Sequence, residues 1–155
     1  MNSDGMIGIM AFTADYVSKR AAEEMLPLNE DGPAYANGHV ILKRVNNNGT
    51  AGGHFAGEKA VIAMNGLAAA MAALDYHMLK KNKASAFSRA GASLMLAGGL
   101  GNLNDRVMRG EVTDFIRFKT GKKHLDKLVF NLADGAVFAG VALSMIGVLA
   151  DHNRK

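Results

Sequence analysis

Gly101-Asn102-Leu103-Asn104-Asp105-Arg106, Val112-Thr113-Asp114-Phe115 and Phe130-Asn131-Leu132-Ala133-Asp134 decide how the rest of this chain is read. They set Asp105, Asp114 and Asp134, with Asn102 and Asn131, at or just inside the ends of otherwise apolar segments. Ionisable groups in such places are costly unless they are paired or put to chemical use. Asp114 and Asp134 stand out as a pair. Two carboxylates within hydrogen-bond reach cannot both ionise cheaply, so one keeps its proton while the other acts as a base, and together they can activate a water for attack on an amide. Such a dyad requires their carboxylates, from different segments, to lie within hydrogen-bonding or one-water distance. Each also has a plainer reading: Asp114 as a solvated residue of a charged loop, Asp134 as a helix cap ahead of Gly135-Ala136-Val137.

Four apolar segments surround these motifs, at residues 6–14, 60–74, 90–103 and 128–150. A helix crossing a bilayer needs roughly 20 mostly apolar residues, and only the fourth segment reaches that length. Between the first and second segments the sequence changes character. Pro27, Asn29, Asp31-Gly32-Pro33 and Asn37-Gly38 are turn signals. His39-Val40-Ile41-Leu42-Lys43-Arg44-Val45 reads as a strand, Asn46-Asn47-Asn48-Gly49 as the turn ending it, and residues 50–55 as a returning strand. The expected organisation is one domain over 1–155, mainly α. It is a four-helix bundle of transmembrane type, with a small β-like insert at about 35–56 between helices 1 and 2 and a polar connection between helices 3 and 4.

Composition narrows the function. The chain has 155 residues and no cysteine, which excludes disulfides and thiolate metal sites. Its five histidines show no ligand spacing, its ten methionines read as core filler, and no metal or cofactor is expected. Net charge is +4 and the pI about 9.4. The basic residues cluster as Lys80-Lys81-Lys83 and Lys122-Lys123 beside apolar segments, without interleaved aromatics, which fits a membrane surface better than nucleic acid. Ala97-Gly98-Gly99-Leu100-Gly101 fails as a dinucleotide loop, because Asn104 stands where the third glycine belongs and no strand precedes it. Its small residues suit close helix packing. Against a membrane stand a mean hydropathy of only +0.04 and an acidic N-terminus, Met1-Asn2-Ser3-Asp4, that lacks a signal-peptide pattern.

The constellation GNxxDR, VxDF and FNxAD, in this order and preceded by Asp15-Tyr16-Val17-Ser18-Lys19, resembles the lipoprotein signal peptidases (signal peptidase II). The resemblance implies a membrane aspartic endopeptidase of the bacterial inner or plasma membrane. Such an enzyme removes the signal peptide of a prolipoprotein just before its diacylglyceryl-modified cysteine, with that substrate and membrane lipid as its partners. It implies Asp114 and Asp134 as the catalytic pair and Asn102, Asp105, Arg106 and Asn131 as the polar shell around them. Asp15 and Lys19, four apart on one helical face, match the family's D-x-x-x-K. Asn47-Asn48-Gly49 partly matches its N-x-G-A-A-F stretch, whose asparagine lies near the scissile peptide, but Thr50-Ala51-Gly52 replaces Ala-Ala-Phe.

A multi-pass topology would put both termini and the loop with Lys80, Lys81, Lys83 and Arg89 on the cytoplasmic side and the dyad on the opposite face. The connection holding Arg106, Arg109, Arg117, Lys119, Lys122, Lys123 and Lys127 then breaks the positive-inside pattern, and pairing and burial of Arg106 would ease this only in part. The alternative function is a soluble or non-catalytic relative acting as a binding or structural helical bundle. It rests on the thin apolar content, notably alanine at Ala68 to Ala73. A nucleic-acid-binding helical domain rests on pI alone.

Overall fold

The computed structural model describes residues 3–49 and 58–152. Four helices grow out of the four apolar segments: α1 (Ser3–Met25), α2 (Glu58–Lys81), α3 (Ala86–Arg109) and α4 (Leu132–His152). The mainly helical bundle expected from the sequence is the fold observed. Local chemistry sets the helix ends. Ser85 caps α3, its Oγ accepting the Ser88 N–H at 3.1 Å, and Gly110 ends it in the left-handed conformation (φ 78°) that a side chain rarely adopts.

Four short strands form one antiparallel sheet in the order β1 (Ala34–Tyr35), β2 (Val40–Asn47), β3 (Val112–Phe118) and β4 (Val129–Phe130). β1 and β2 lie in the expected insert, and β2 carries on through Asn46 and Asn47, which the sequence had suggested as a turn. The returning strand suggested at 50–55 lies outside the described residues. β3 and β4 come instead from the α3–α4 connection, read beforehand only as polar. Val112 to Phe118 is rich in β-branched and aromatic residues, and pairing with β2 draws it into the sheet. Opposite Asp114 stands Val45, with a register shift between Leu42 and Val45. Phe115 packs on Ala22 and Leu26 with Leu42 and Ile116 around them, which seats the sheet on the end of α1.

Helices α3 and α4 approach closely because glycines line their contact. A Cβ at Gly91 or Gly140 would run into the other's backbone, at Gly98 into the Ala133 carbonyl, and at Gly147 into Ser88. At the end away from the sheet, Asp4 accepts the Tyr76 hydroxyl at 2.9 Å, Ser93 Oγ donates to its carbonyl at 2.8 Å, and Arg89 Nε lies 3.7 Å from its carboxylate. Asp151 accepts the Ser85 N–H and the Ser88 hydroxyl, each at 2.7 Å. The start of α1, the end of α2, the start of α3 and the end of α4 therefore meet at one end of the bundle, and the sheet closes the other.

The distribution of side chains runs opposite to that of a water-soluble bundle. Lys19 is 1% exposed and Asp15 2%, whereas Met10 is 67% and Leu149 69% exposed. Ile9, Val17, Met64, Leu67, Met71, Leu74, Phe138, Met145 and Val148 also face outward. Charges inside and large apolar groups outside suit a hydrocarbon surrounding. Among the described residues one helix, α4, is long and apolar enough to cross a membrane by its own composition.

The close α3–α4 contact makes a contrast measurable. Gly147→Ala should destabilise the protein by about 1–3 kcal/mol through overpacking against Ser88. Gly66→Ala, where nothing lies within 4 Å of the added methyl, should be neutral or stabilising by up to about 1 kcal/mol. Thermal or denaturant unfolding in detergent compares the two.

Candidate active site

A cavity of about 770 Å³ opens between the sheet and the adjoining helix ends. Asn47 of β2, Asn102 and Arg106 of α3, Asp114 of β3, and Asn131 and Asp134 at the start of α4 give it polar walls. Leu128, Val129, Phe130 and Phe138 give it an apolar side.

Asn131 organises the polar half. It precedes α4, and its Oδ1 accepts the Asp134 N–H at 2.9 Å while the Asp134 carboxylate accepts the Asn131 N–H at 3.1 Å. This is a reciprocal capping box, with asparagine and aspartate in the usual roles of serine and glutamate. The sequence had offered Asp134 itself as a cap; it sits instead three residues inside, with Asn131 as the cap. The Asn131 amide nitrogen is left free to donate to Asp114 Oδ1 at 2.6 Å and to Asn102 Oδ1 at 3.1 Å. Asn102 in turn donates to Asp134 Oδ1 at 3.0 Å. Asp114 and Asp134 thus share Asn131 as a common partner, one through its side chain and one through its backbone.

Asp114 is 4% exposed, and Asn47 Nδ2 donates to its second oxygen at 3.0 Å. Burial pushes its carboxyl up to about 6; the nearby charge of Asp134 adds to the rise, against the hydrogen bonds from Asn47 and Asn131. Asn47 also accepts the Gly49 N–H at 3.1 Å, so the Asn-Gly turn and the contact to Asp114 exist together. Residues 50–55, the altered part of the N-x-G stretch, lie outside the described residues.

The remaining residues singled out from the sequence stand behind this pair. Lys19 Nζ lies 2.7 Å from Asp15 and 2.8 Å from Asp105, and donates to Asn102 Oδ1 at 3.0 Å. Asp15 Oδ1 accepts the Ala133 N–H at 2.7 Å, an otherwise orphaned donor in the first turn of α4. A Cβ at Gly101 would strike Asp15, which explains the glycine at this point of the motif. Asp105 and Arg106 diverge: Asp105 turns to Lys19 and Arg109, while Arg106 donates to the carbonyls of Gly49 at 3.2 Å and Asn102 at 3.4 Å. Arg106 is 8% exposed, which eases the charge conflict of this connection only in part, because Lys119, Lys122, Lys123 and Lys127 are exposed. Among the described residues no three His, Asp or Glu side chains are grouped as metal ligands would be.

Comparison with known proteins shows the family. The family model for signal peptidase (SPase) II matches residues 7–150. The chain belongs to the signal peptidase II family. It is 41% identical over 83 residues to the lipoprotein signal peptidase of Staphylococcus aureus strain MRSA252, covering 54% of this chain and 50% of that one. The strain JH9 protein is 40% identical over the same length with the same coverage. The chain thus spans about half the length of these relatives in the matched region. Two solved structures, both described as a bacterial membrane enzyme structure by the in meso method, are similar throughout. At 2.3 Å resolution the TM-score is 0.80 with 25% identity, covering 99% of this chain and 91% of the other; at 1.9 Å it is 0.79 with 26% identity, covering 96% and 94%.

Against the signal peptidase II motifs, three further residues belong to the same polar cluster: Glu23, Arg109 and Thr113. Arg109 Nη1 pairs with Glu23 Oε1, and Thr113 Oγ1 donates to the same oxygen at 2.6 Å. Their signal was present in the spacing, since Glu23 follows Lys19 by four and Arg109 follows Asp105 by four.

Lys19→Met should destabilise the protein by about 3–5 kcal/mol, because it leaves the buried carboxylates of Asp15 and Asp105 without their shared cation. Arg20→Met, which breaks a partly exposed pair with Glu23, should cost no more than about 1 kcal/mol. Unfolding of the purified variants checks the difference.

Proposed function

We propose that this protein is an aspartic endopeptidase that removes the signal peptide of a lipid-modified prolipoprotein, with Asp114 and Asp134 as its catalytic pair. The observation that carries the reading is Asn131, which holds both carboxylates on the wall of one cavity. Family membership and the name of the Staphylococcus aureus relatives support the substrate. The cavity supports it too: its apolar side includes Phe138, which continues onto the outward face of α4, so a lipidated residue can keep its acyl chains in hydrocarbon while its peptide bond enters the polar half.

Burial gives the pair different roles. Asp114, whose carboxyl titrates near 6, holds the proton, and Asp134 is the base. Asp134 takes a proton from a water, whose oxygen bonds to the scissile carbonyl carbon while Asp114 gives its proton to the carbonyl oxygen. The tetrahedral diol then collapses. The C–N bond breaks, the proton held by Asp134 passes to the leaving nitrogen, and Asp114 regains its proton from the diol. The products are the signal peptide's carboxylic acid and a free amine on the lipid-modified residue, which become a carboxylate and an ammonium once the acid's proton passes to the amine. Asn102 and Asn131 keep the carboxylates aimed, and Arg106 supplies positive charge beside them.

The same reading makes it a multi-pass protein of the bacterial cell membrane, with one domain over 1–155. The charges that keep α1 and α3 from reading as apolar spans, among them Asp15, Lys19, Asp105 and Arg106, are buried inside the bundle, and the outward faces are apolar. Both termini and the 80–89 loop then lie on the cytoplasmic side.

Asp114→Asn and Asp134→Asn should each abolish cleavage of a lipid-modified prolipoprotein peptide while leaving the fold intact; most activity retained in Asp114→Asn would remove it from the mechanism. The pH dependence has a definite sign. Asp114's folded pKa lies above the unfolded value of about 3.9, so its contribution to stability is greatest at low pH and declines as pH rises from about 4 to about 6. Activity that needs its proton falls above about pH 6. Asp134→Asn removes a facing negative charge and should lower the Asp114 midpoint in an infrared titration, with Lys19 and Arg106 unchanged. In intact membranes, Lys81 and Lys122 should be labelled from opposite sides; labelling from one side would overturn the topology.

A further inference from the structure

Asp15, Lys19 and Glu23 follow one another at intervals of four and form a single stripe along α1. Facing it, α3 presents Asn102, Asp105 and Arg109, and the signs interlock. Lys19 meets Asn102 and Asp105, Asp105 also receives Arg109 Nη2 at 2.5 Å, and Arg109 Nη1 pairs with Glu23. The last link is Thr113, 1% exposed, which donates to Glu23 Oε1 at 2.6 Å and accepts from Arg109 Nη1 at 3.3 Å. One end of this string therefore reaches Asp134 through Asn102, and the other ends on the residue next to Asp114.

Successive side chains of a strand point to opposite faces. The face of β3 that Thr113 docks onto Glu23 and Arg109 is thus opposite the face that carries Asp114 into the cavity. The strand needs such an anchor there. Among the described residues β4 pairs with Ile116 and Arg117 alone and Asp114 has β2 as its one ladder partner, and the β2 register shifts between Leu42 and Val45. Backbone pairing alone leaves the aim of Asp114 weakly specified.

We propose that Glu23, Arg109 and Thr113 are a positioning clamp that fixes the aim of Asp114, so that one string of buried and half-buried charges holds both carboxylates in register. The proposal rests on the reading of Asp114 and Asp134 as the catalytic pair. These residues touch neither substrate nor water in the mechanism and act through β3.

Thr113→Val tests it, since valine keeps the branched shape and loses the hydroxyl, and Thr113→Ser restores the hydroxyl. The full chain in detergent is assayed for kcat and KM on a lipid-modified prolipoprotein peptide. Its unfolding temperature is recorded, and Asp114 is titrated by infrared difference against Asp114→Asn. Lys19, Arg106 and Asp134, the charges facing Asp114 from α1, α3 and α4, are the same in every variant, so a moved midpoint reports a moved carboxylate. Expected for Thr113→Val is a fall in kcat of about tenfold or more, KM within about twofold, and a shifted Asp114 midpoint, with Thr113→Ser close to the original on all three. An unchanged kcat and midpoint overturn the clamp. So does a kcat that falls only with the folded fraction while the midpoint stays put. If the unaltered chain cleaves no peptide, the peptidase reading fails separately, and the titration alone decides: a midpoint moved by valine and restored by serine supports the clamp, an unmoved one overturns it.

Discussion

A helix that begins inside a protein must satisfy its first N–H groups without water, and the structure turns on how α4 does so. The Asp134 N–H goes to the Asn131 side chain, the Asn131 N–H to Asp134, and the Ala133 N–H to Asp15 of α1. Each solution fixes something the site needs. Asp134 cannot turn away without uncapping its own helix. Asn131, held through its oxygen, can direct its nitrogen only toward Asp114 and Asn102. Asp15, held at α4, is on hand to pair with Lys19. The cap and the candidate active site are the same set of hydrogen bonds, which is why asparagine serves at 131. Serine or threonine would cap the helix equally well but could not donate an N–H to a carboxylate on the other side.

The buried charges impose a second constraint. Each carboxylate inside the bundle costs far more to leave alone than a surface ion pair returns, so the interior carboxylates have to be answered by cations and amides. Lys19 answers two carboxylates and one amide, and Arg109 answers Asp105 and Glu23. The helices can carry this interior because their exteriors are apolar and their contacts are made by small residues, such as Gly91 against Gly140. Association by close backbone approach and buried polar pairing is what remains available to helices surrounded by hydrocarbon.

How far the sequence was legible follows from these constraints. The four helices were readable from apolar segments, and Asp15, Lys19, Asn102, Asp105, Arg106, Asn131, Asp114 and Asp134 were singled out by motif order, all but Asp114 of β3 lying on single helices or at helix ends. β3 was not. Val112 to Phe118 becomes a strand by pairing with β2, some 70 residues earlier in the chain, and charged residues on both sides of it give it the look of a loop. With the strand unread, Thr113 had no face and Glu23 and Arg109 no destination, although their fourfold spacing was visible. Mean hydropathy is a poor guide to the outward faces for a related reason. It averages the charges stored inside the bundle and in the sheet region with the outward faces, and only the fold separates them.

Placing one carboxylate on a strand and the other on a helix end makes two chemically equal side chains unequal. Asp114 sits on β3 with buried neighbours before and after it, and the exclusion of water there favours its protonated form. Asp134 lies in the first turn of α4, half-exposed at the cavity, where its carboxylate accepts from the Asn102 amide and the Asn131 N–H. On the reading of the two aspartates as a catalytic pair, these different surroundings would separate the partner that holds a proton from the partner that takes one, and the network behind them would share in the chemistry by keeping β3 and α4 in their mutual position.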